Sequence, residues 1–276
     1  MKTTNGQMSI FDFVFDDPPK VIVTTPPKTA EPITPKAKTN GETNLCPYQI
    51  PTIDEIIKQI ERAAYSVSKS KLISDVFECG AIAISNGITL NKSEKREERY
   101  KQIMKTYKPS ERELIADIFG KIFALLSSVV YDNGVFNDYL GDLFMRCEQG
   151  EKRAGQFFTP YHVSRCMAEM TITDDKIKHG EIITINDCCC GGGGMLIAAL
   201  DILKNRYGVN YAHDCFIDAG DIDERCVHMT YLQLSFAGVP AIVKHQDALT
   251  RELWGVWKTP AYVFQYTRFC KYENYN

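Results

Sequence analysis

The fold is decided by the stretch Thr184-Ile-Asn-Asp187-Cys-Cys-Cys190-Gly191-Gly-Gly-Gly194-Met195-Leu-Ile-Ala-Ala-Leu200. In it an apolar run meets four consecutive glycines, and a second apolar run with helical spacing follows. Because glycine has no Cβ and adopts positive φ readily, such a turn leaves backbone amides and the start of the helix open to a ligand. The pattern predicts a strand, a tight turn that binds a nucleotide-like ligand, and a helix.

A second apolar segment, residues 215–221, follows this helix and ends at Asp221. Strand, helix and strand form a βαβ unit, and an acid at the second strand's end can accept hydrogen bonds from both hydroxyls of a ribose. NAD is the weaker interpretation, because Leu196 replaces the third glycine of its motif and Asp221 lies farther away than the usual roughly 20 residues. ATP hydrolysis is not expected, because Met195 and Leu196 stand where the phosphate-binding loop needs Lys and Ser or Thr.

Four segments carry a resemblance to a known family. The segment Asp187-Cys-Cys-Cys190-Gly191-Gly-Gly-Gly194-Met195-Leu resembles the D-P-x-C-G-S-G-G-M-L loop of adenine-N6 DNA methyltransferases, specifically the modification subunits of type I restriction systems. Upstream, Gly155-Gln156-Phe157-Phe158-Thr159-Pro160 resembles the family's G-Q-[FY]-[FY]-T-P signature. Downstream, Ala219-Gly220-Asp221-Ile222-Asp223 resembles its G-x-[ED]-[IL]-[DN] segment, and His245-Gln246-Asp247-Ala248-Leu249 resembles the next strand end. The four matches occur in the family's order.

The resemblance implies an α/β fold with the Rossmann-like sheet of S-adenosylmethionine-dependent methyltransferases. It also implies S-adenosylmethionine as the cofactor, DNA as the substrate, and specificity or restriction subunits as partners. Asp221 would bind the ribose and Asp247 would lie near the adenine. The implied cofactor-binding residues are Gln156, Phe157, Phe158, Thr159, Pro160, Asp187, Cys190, Gly191, Gly192, Gly193, Asp221, Ile222, Asp247 and Ala248.

The composition limits how the chain can meet DNA. A formal net charge of −3 over 276 residues means that phosphate contacts must come from a local patch or from partner subunits. The ten cysteines include three in a row and form no paired C-x-x-C sets, so we expect reduced thiols in a cytoplasmic protein and no metal site. No apolar run reaches the roughly 18 residues of a membrane helix, and no membrane partner is expected.

The amino-terminal part, residues 1–47, is predicted to be a disordered tail, because residues 18–47 are rich in Pro, Thr and Lys. It carries an apolar island, Gln7-Met8-Ser9-Ile10-Phe11, which resembles the Q-L-[SD]-L-F peptide that docks on the bacterial sliding clamp. Gln7 would enter a polar pocket, while Ile10 and Phe11 would fill an apolar one. The alternative is a cluster that packs back on the protein or has no role.

Two further domains are predicted. Residues 48–150 show helical periodicity over residues 53–70, 72–85, 94–107, 110–131 and 137–147, which predicts an all-helical domain. Ser110 and Glu113 have the spacing of a capping box. Residues 151–276 are predicted to form the methyltransferase domain, a doubly wound sheet that is short at its carboxyl-terminal end. Its first helix would begin at Pro160 with Thr159 as the N-cap.

The base-handling tetrapeptide of the family, [NDS]-P-P-[YFW], is absent. Its nearest counterpart is Thr259-Pro260-Ala261-Tyr262, in which Thr259 could accept a hydrogen bond from the adenine amino group and Tyr262 could stack on the base. Thr259, Pro260 and Tyr262 are therefore the candidate catalytic residues. The leading hypothesis is methyl transfer to the N6 amino group of adenine in DNA. The alternatives are a catalytically weak or inactive cofactor-binding relative that acts as an interaction module, and methylation of a protein or small molecule.

Overall fold

The computed structural model describes residues 50–89, 92–131, 135–148, 157–177 and 180–272. The first half of this region is helical. Its five helices are α1 (Ile53–Ala63), α2 (Lys69–Ile88), α3 (Glu94–Lys105), α4 (Pro109–Tyr131) and α5 (Tyr139–Glu148). The helix expected over residues 53–70 ends early, and Ser68 begins a new helix by accepting a hydrogen bond from the Lys71 amide.

One helix start differs from the predicted capping, and another has a capping box that was not predicted. A capping box opens α1, where the Thr52 side chain accepts from the Glu55 amide and the Glu55 carboxylate accepts from the Thr52 amide. The box predicted at Ser110 does not open α4, because that helix begins one residue earlier and the Glu111 carboxylate accepts the Lys108 amide at 2.7 Å.

The second half alternates helices and strands and confirms the α/β class. It contains α6 (Tyr161–Thr171), β1 (Ile183–Asp187), α7 (Gly194–Asn205), α8 (Tyr211–Asp214), β2 (Cys215–Asp221), α9 (Glu224–Ala237), β3 (Ala241–Gln246), β4 (Leu253–Lys258), α10 (Pro260–Phe264) and α11 (Tyr266–Phe269). The sheet order is β1-β2-β3-β4, with parallel pairing among the first three strands. The carboxyl ends of these three strands therefore share one edge of the sheet.

Strand β4 departs from the doubly wound pattern because it runs antiparallel to β3. The connection is short: the Asp247 amide donates to the Glu252 carbonyl at 3.0 Å, and the Arg251 amide donates to the Asp247 carbonyl at 2.8 Å. A parallel strand needs a crossover of about a dozen residues or more, so this turn imposes the antiparallel direction. The carboxyl end of β4 therefore lies at the edge of the sheet opposite the glycine loop.

Helix α9 is the centre of the hydrophobic core. One side of it packs on β2 and β3, and the other contacts α2, α4 and α5. Most of its residues, including Met229, Leu232 and Leu234, are buried. The opposite face of the sheet is covered by a cluster of Phe216, Ile242, Tyr262 and Phe269. Within the described ranges, no helix combines the length and apolar composition needed to cross a membrane.

Candidate functional site

The glycine loop between β1 and α7 is fixed by backbone hydrogen bonds. The Cys190 amide donates to the Gly220 carbonyl at 2.9 Å, which ties the loop to the end of β2. Gly193 caps α7 with a φ of 90°, and Gly191 has a φ of 53°. Both values lie in the left-handed region that glycine adopts without strain, so the predicted turn depends on these two residues.

The surroundings of the loop also exclude larger side chains. A Cβ on Gly191 would lie 3.2 Å from the Phe158 ring, and a Cβ on Gly194 would lie 2.6 Å from Asp138 Oδ2. The aromatic segment before α6 and the start of α5 therefore both approach the loop backbone closely.

Asp221 links the end of β2 to the loop. Its Oδ2 accepts the Gly191 amide at 2.8 Å, and its Oδ1 accepts the Asp223 amide at 2.9 Å. A carboxylate offers about four lone-pair positions, so each oxygen can accept one more hydrogen bond. The side chain is thus held in place by the backbone and still able to accept two hydroxyl donors.

Asp138 is a site residue that the sequence did not indicate. It lies just before α5, is 6 % exposed, and accepts the Gly141 amide at 3.0 Å and Gln233 Nε2 at 2.8 Å. Gln233 Nε2 also donates to the Gly192 carbonyl at 2.6 Å, so one amide of α9 joins the helical half to the glycine loop. Burial raises the pKa of Asp138, and the hydrogen bonds from Gln233 and Gly141 oppose that shift.

These segments enclose a cavity of about 210 Å³. Its lining residues are Asp138, Phe157, Phe158, Thr159, Ser164, Cys189, Cys190, Gly191, Gly192, Gly194, Met195 and Asp221. A larger cavity of about 520 Å³ lies along β1 and α6, but its lining is mainly apolar and shares only Met195 with the glycine-loop cavity. We take the smaller cavity as the functional one because the loop amides and Asp221 converge there.

Ser164 is a second residue that the sequence did not indicate. It lies on α6, is fully buried and lines the cavity, yet its Oγ has no hydrogen-bond partner among the described residues. Buried hydroxyls are normally paired. An unpaired one at a cavity wall indicates a position where a ligand atom can supply the missing partner.

The edge of the site is electrostatically negative. Burial raises the pKa of Asp187, the Asp221 charge adds to this shift, and a hydrogen bond from the Cys189 amide opposes it. Burial also raises the pKa of Cys190 to about 12, so this thiol stays protonated at neutral pH. Asp221 lines the glycine-loop cavity, whereas Asp187 lines the larger cavity along β1. The carboxylates at the ends of β1 and β2 favour a cationic ligand nearby, and Cys190 offers no thiolate nucleophile.

The aromatic segment of the predicted site lies at the cavity, but its helix start differs from the prediction. Phe157, Phe158 and Thr159 line the cavity, and Phe157 is 79 % exposed. Pro160, rather than Thr159, is the N-cap of α6, and it makes no side-chain cap hydrogen bond, because proline has no side-chain acceptor. Gln156 lies outside the described residues, as do the clamp-peptide residues Gln7, Met8, Ser9, Ile10 and Phe11.

The downstream residues share the edge of the sheet without lining the cavity. Ile222 follows Asp221 and is 63 % exposed. Asp247 follows β3, and its Oδ1 accepts the Leu249 amide at 2.8 Å and the Thr250 amide at 3.3 Å, so it caps its own turn. Ala248 lies within that turn.

The geometry corrects the expectation of a base pocket at Thr259, Pro260 and Tyr262. These residues follow the antiparallel β4 and lie at the sheet edge opposite the cavity. Thr259 is fully buried, accepts the Ala241 amide at 2.9 Å and donates to the Val239 carbonyl at 2.8 Å. Pro260 opens α10, and Tyr262 is buried against Phe216. The tetrapeptide therefore anchors β3 to α10.

A parallel βαβ unit with a glycine-rich first turn and an acid ending its second strand defines a class of nucleotide-cofactor-binding α/β proteins. Residues 135–269 match the family described as N-6 DNA Methylase. This match covers just under half of the chain, and it makes residues 135–269 similar to a family of methyltransferases.

Two solved structures show a weak likeness to the chain. One is a Listeria monocytogenes protein described as a class I S-adenosylmethionine-dependent methyltransferase, with 14% identity, a TM-score of 0.39, and coverage of 71% of this chain and 54% of the other. The second is the methyltransferase subunit of a type I restriction-modification system from Streptococcus thermophilus, with 16% identity, a TM-score of 0.37, and coverage of 73% and 41%. The chain thus spans about half the length of these structures or less, and such TM-scores carry no functional assignment. No curated protein matches the sequence.

Proposed function

We propose that the protein binds S-adenosylmethionine in the glycine-loop cavity and transfers its methyl group to the N6 amino group of adenine in DNA. The observation that carries the cofactor proposal is the convergence of Ser164, Asp221 and the glycine loop on one cavity. The family match over residues 135–269 supports the reaction class. The adenine acceptor rests on the sequence resemblance to adenine-N6 methyltransferases.

The residues fit the cofactor's chemistry. S-adenosylmethionine carries an electrophilic methyl group on a cationic sulfonium. Its ammonium group is also cationic. Asp221 has one free acceptor position on each oxygen, which suits the two ribose hydroxyls. The unpaired Ser164 hydroxyl can hydrogen-bond a polar group of the methionine portion. Asp187 and Asp221 favour the positive charges, and exposed Phe157 offers an apolar surface that excludes water.

DNA and a specificity or restriction subunit are the proposed partners. Adenine must leave the duplex before its amino group can be methylated, because it is otherwise stacked and paired. The chain carries a formal net charge of −3, so a partner that contributes Lys and Arg would supply part of the phosphate contacts. Docking on a sliding clamp through residues 7–11 remains a prediction from the sequence alone.

Calorimetric titration of the full chain with S-adenosylmethionine tests the cofactor site. We expect Asp221→Asn to weaken binding about tenfold or more, because an amide replaces an acceptor-only carboxylate at the ribose. Asp214→Asn is the matched control, since Asp214 is a half-buried acid immediately before β2, at the strand end opposite Asp221. No binding at millimolar cofactor, or equal loss in both variants, contradicts the proposal.

A labelled-methyl assay tests the acceptor. Adenine-containing duplex DNA is incubated with the protein and labelled cofactor, digested, and analysed for N6-methyladenine, with fully N6-methylated DNA as the control. Label in adenine supports the proposal, whereas label in protein or in a small molecule supports a different acceptor.

The second candidate function is a cofactor-binding interaction module without activity of its own. The position of Thr259–Tyr262 favours it, because no counterpart of the base-handling tetrapeptide lies at the cavity within the described residues. Cofactor binding without methyl transfer, followed by transfer when a specificity subunit is added, would assign the missing base pocket to the partner. Binding without transfer under both conditions would favour the interaction module.

A further inference from the structure

A second cleft, which we call the tryptophan cleft, lies at the outer edge of β4. It has a volume of about 420 Å³. Its walls come from α2, α3, the start of α9, and β4. Its charged and aromatic lining residues include Lys95, Arg96, Arg99, Glu224, His228 and Trp254.

The cleft contains a partly buried cation that has no counter-ion among the residues that the structure describes. Arg96 donates to Ser85 Oγ and to the Val256 carbonyl, both at 2.6 Å, and its guanidinium lies 3.7 Å from the centre of the Trp257 ring. No carboxylate among the described residues lies within ion-pair distance of it. These contacts use two of its five N–H groups. Since buried charges are normally paired, Arg96 has both charge and donors left for an anion.

The other charges of the cleft leave a cationic side. Arg99 is neutralised by Glu78 through two contacts of 2.6 and 2.9 Å. Lys95 is exposed and forms no ion pair with any residue that the structure describes. Glu224 faces His245 at 4.0 Å, with more than half of its side chain in solvent. Lys95 and Arg96 are therefore the cations available to a ligand, while Glu224 is a carboxylate of the cleft that opposes an anion.

A buried polar atom also lacks a partner here. His228 is 3 % exposed, and its Nε2 has no hydrogen-bond partner among the described residues. Burial, followed by the charge of Arg96, lowers the pKa of this histidine to about 3, so the ring is neutral at physiological pH. A neutral imidazole can donate or accept one hydrogen bond at Nε2. The orphan atom marks a second position for a polar ligand.

The cleft also offers an aromatic surface. Trp254 is 44 % exposed, and its ring meets His245 edge-on at 4.9 Å between centroids. A tryptophan face beside cationic groups suits a nucleotide, since the base can stack on the ring and the phosphate can pair with the cations. His245 connects the cleft to the cofactor side, because its Nε2 lies 3.1 Å from the Ile222 carbonyl, one residue after Asp221.

We propose that the tryptophan cleft binds a nucleotide, with the phosphate beside Arg96 and Lys95 and the base on Trp254. The ligand is either a free nucleotide or one nucleotide of a DNA strand, which share this chemistry. The site is separate from the glycine-loop cavity, and its occupancy does not depend on the proposed methyl transfer.

The chain provides its own reporter, because its two tryptophans both line this cleft. The full-length protein is titrated with thymidine 5′-monophosphate, with single-stranded oligothymidylate and with inorganic phosphate, while tryptophan fluorescence is recorded. Thymine is used because an adenine probe could enter an adenosine-binding cavity. We expect saturable quenching by a thymidine ligand, and the same quenching in Asp221→Asn, which impairs only the proposed cofactor site.

Matched variants test the two parts of the site. Lys95→Glu should weaken binding about tenfold or more, whereas Lys92→Glu, an equal charge change at an exposed position outside the cleft, should not. Trp254→Ala should weaken nucleotide binding as well, followed through the remaining Trp257.

The three probes distinguish a free nucleotide from a DNA strand as the ligand, and they distinguish both from results that contradict the proposal. Binding of both thymidine ligands identifies a nucleotide site, and binding of the oligonucleotide alone identifies a strand site. Phosphate that binds as tightly as the nucleotide, with no effect of Trp254→Ala, overturns the proposal by reducing the cleft to an anion site. Absence of quenching by every probe at millimolar concentration also overturns it and leaves Arg96 as a link between α3 and β4.

Discussion

At the scale of single residues, Asp187 and Asp221 place two carboxylates at the ends of adjacent strands. We predict that Asp187→Asn weakens S-adenosylmethionine binding about tenfold, because a carboxylate close to Asp221 that attracts a cationic ligand is lost. The same change should keep or raise the free energy of unfolding at pH 7. Burial and the Asp221 charge raise the pKa of Asp187, so its ionised form costs stability in the folded state.

The pH dependence follows from the sign of that shift. Because the folded pKa lies above the unfolded one, the cost is present at neutral pH and disappears as the pH falls through the raised pKa. Denaturant unfolding of wild type and Asp187→Asn should therefore converge below the ordinary aspartate pKa of about 3.9. A variant that is less stable at pH 7 and binds the cofactor normally would contradict the prediction.

Gly194 gives a second prediction at this scale. A Cβ there would lie 2.6 Å from Asp138 Oδ2, and the Asp138 side chain is held by Gln233 and the Gly141 amide. Gly194→Ala should cost about 1–3 kcal/mol of stability through overpacking. Cofactor affinity should fall as the loop shifts.

The control for Gly194→Ala is Gly120→Ala in the exposed middle of α4, where a Cβ would meet nothing within 4 Å. Alanine is preferred to glycine in a helix, so this change should raise stability by about 0.5–1 kcal/mol and leave cofactor binding unchanged. Thermal unfolding and calorimetry measure both effects. If the two variants changed stability and cofactor affinity equally, the steric explanation would be wrong.

The sequence predicts those parts of the site that depend on local patterns. The glycine turn, the strand before it and the acid at Asp221 follow from residue types at short spacing. Asp138 and Ser164 have no such signal. Asp138 is joined to the loop through Gln233, which is 95 residues away along the chain, and only the packing of the helical half on α9 brings them together.

At the scale of elements, the direction of β4 decides what Thr259 does. Its hydroxyl accepts the Ala241 amide at 2.9 Å, where β3 begins, and donates to the Val239 carbonyl at 2.8 Å. We predict that Thr259→Ala costs about 1–3 kcal/mol of unfolding free energy, because a buried amide loses its partner. Thr259→Ser keeps the hydroxyl and should lose much less.

The same pair of variants separates a structural from a catalytic role. Neither change should alter cofactor affinity or methyl transfer under conditions where the variant is folded, because Thr259 lies at the opposite edge of the sheet. A loss of transfer in a folded Thr259→Ala protein would place the tetrapeptide in the chemistry after all.

The length of the connection between β3 and β4 indicates the direction of β4 from the sequence alone. The prediction relied instead on the Thr-Pro-Ala-Tyr segment. Only residues 247–252 separate β3 from β4, which is too short for a parallel crossover. The Thr-Pro-Ala-Tyr segment occurs in the family's order, and motif order contains no information on strand direction. The predicted end of the first helix was wrong for a related reason. The apolar periodicity continues past Ala63, but the helix ends there and a new one begins after Ser68.

At the scale of the whole molecule, the helical half and the sheet share their core. Helix α9 packs on β2 and β3 and also on α2, α4 and α5, while Arg96 of α3 donates to the Val256 carbonyl of β4. Arg225 of α9 pairs with Glu148 of α5 at 3.1 Å. These contacts cross the boundary at residue 150 that the sequence predicted between two domains, so they bear on whether the two parts unfold separately.

We predict that residues 50–272 unfold in one transition, because separating the helices from the sheet would expose α9 and break the buried hydrogen bond between Gln233 and Asp138. Two probes are compared: far-ultraviolet circular dichroism follows the helices of both parts, and fluorescence follows Trp254 and Trp257 of β4 in the second part alone. The denaturant midpoints of the two signals should coincide. At a hundredfold excess of S-adenosylmethionine over its Kd, both midpoints should rise together, and the free energy of unfolding should increase by about 2.7 kcal/mol. Asp221→Asn should show coincident midpoints with a smaller shift. If fluorescence changes well before or after the helical signal, the predicted boundary separates two independent folding units.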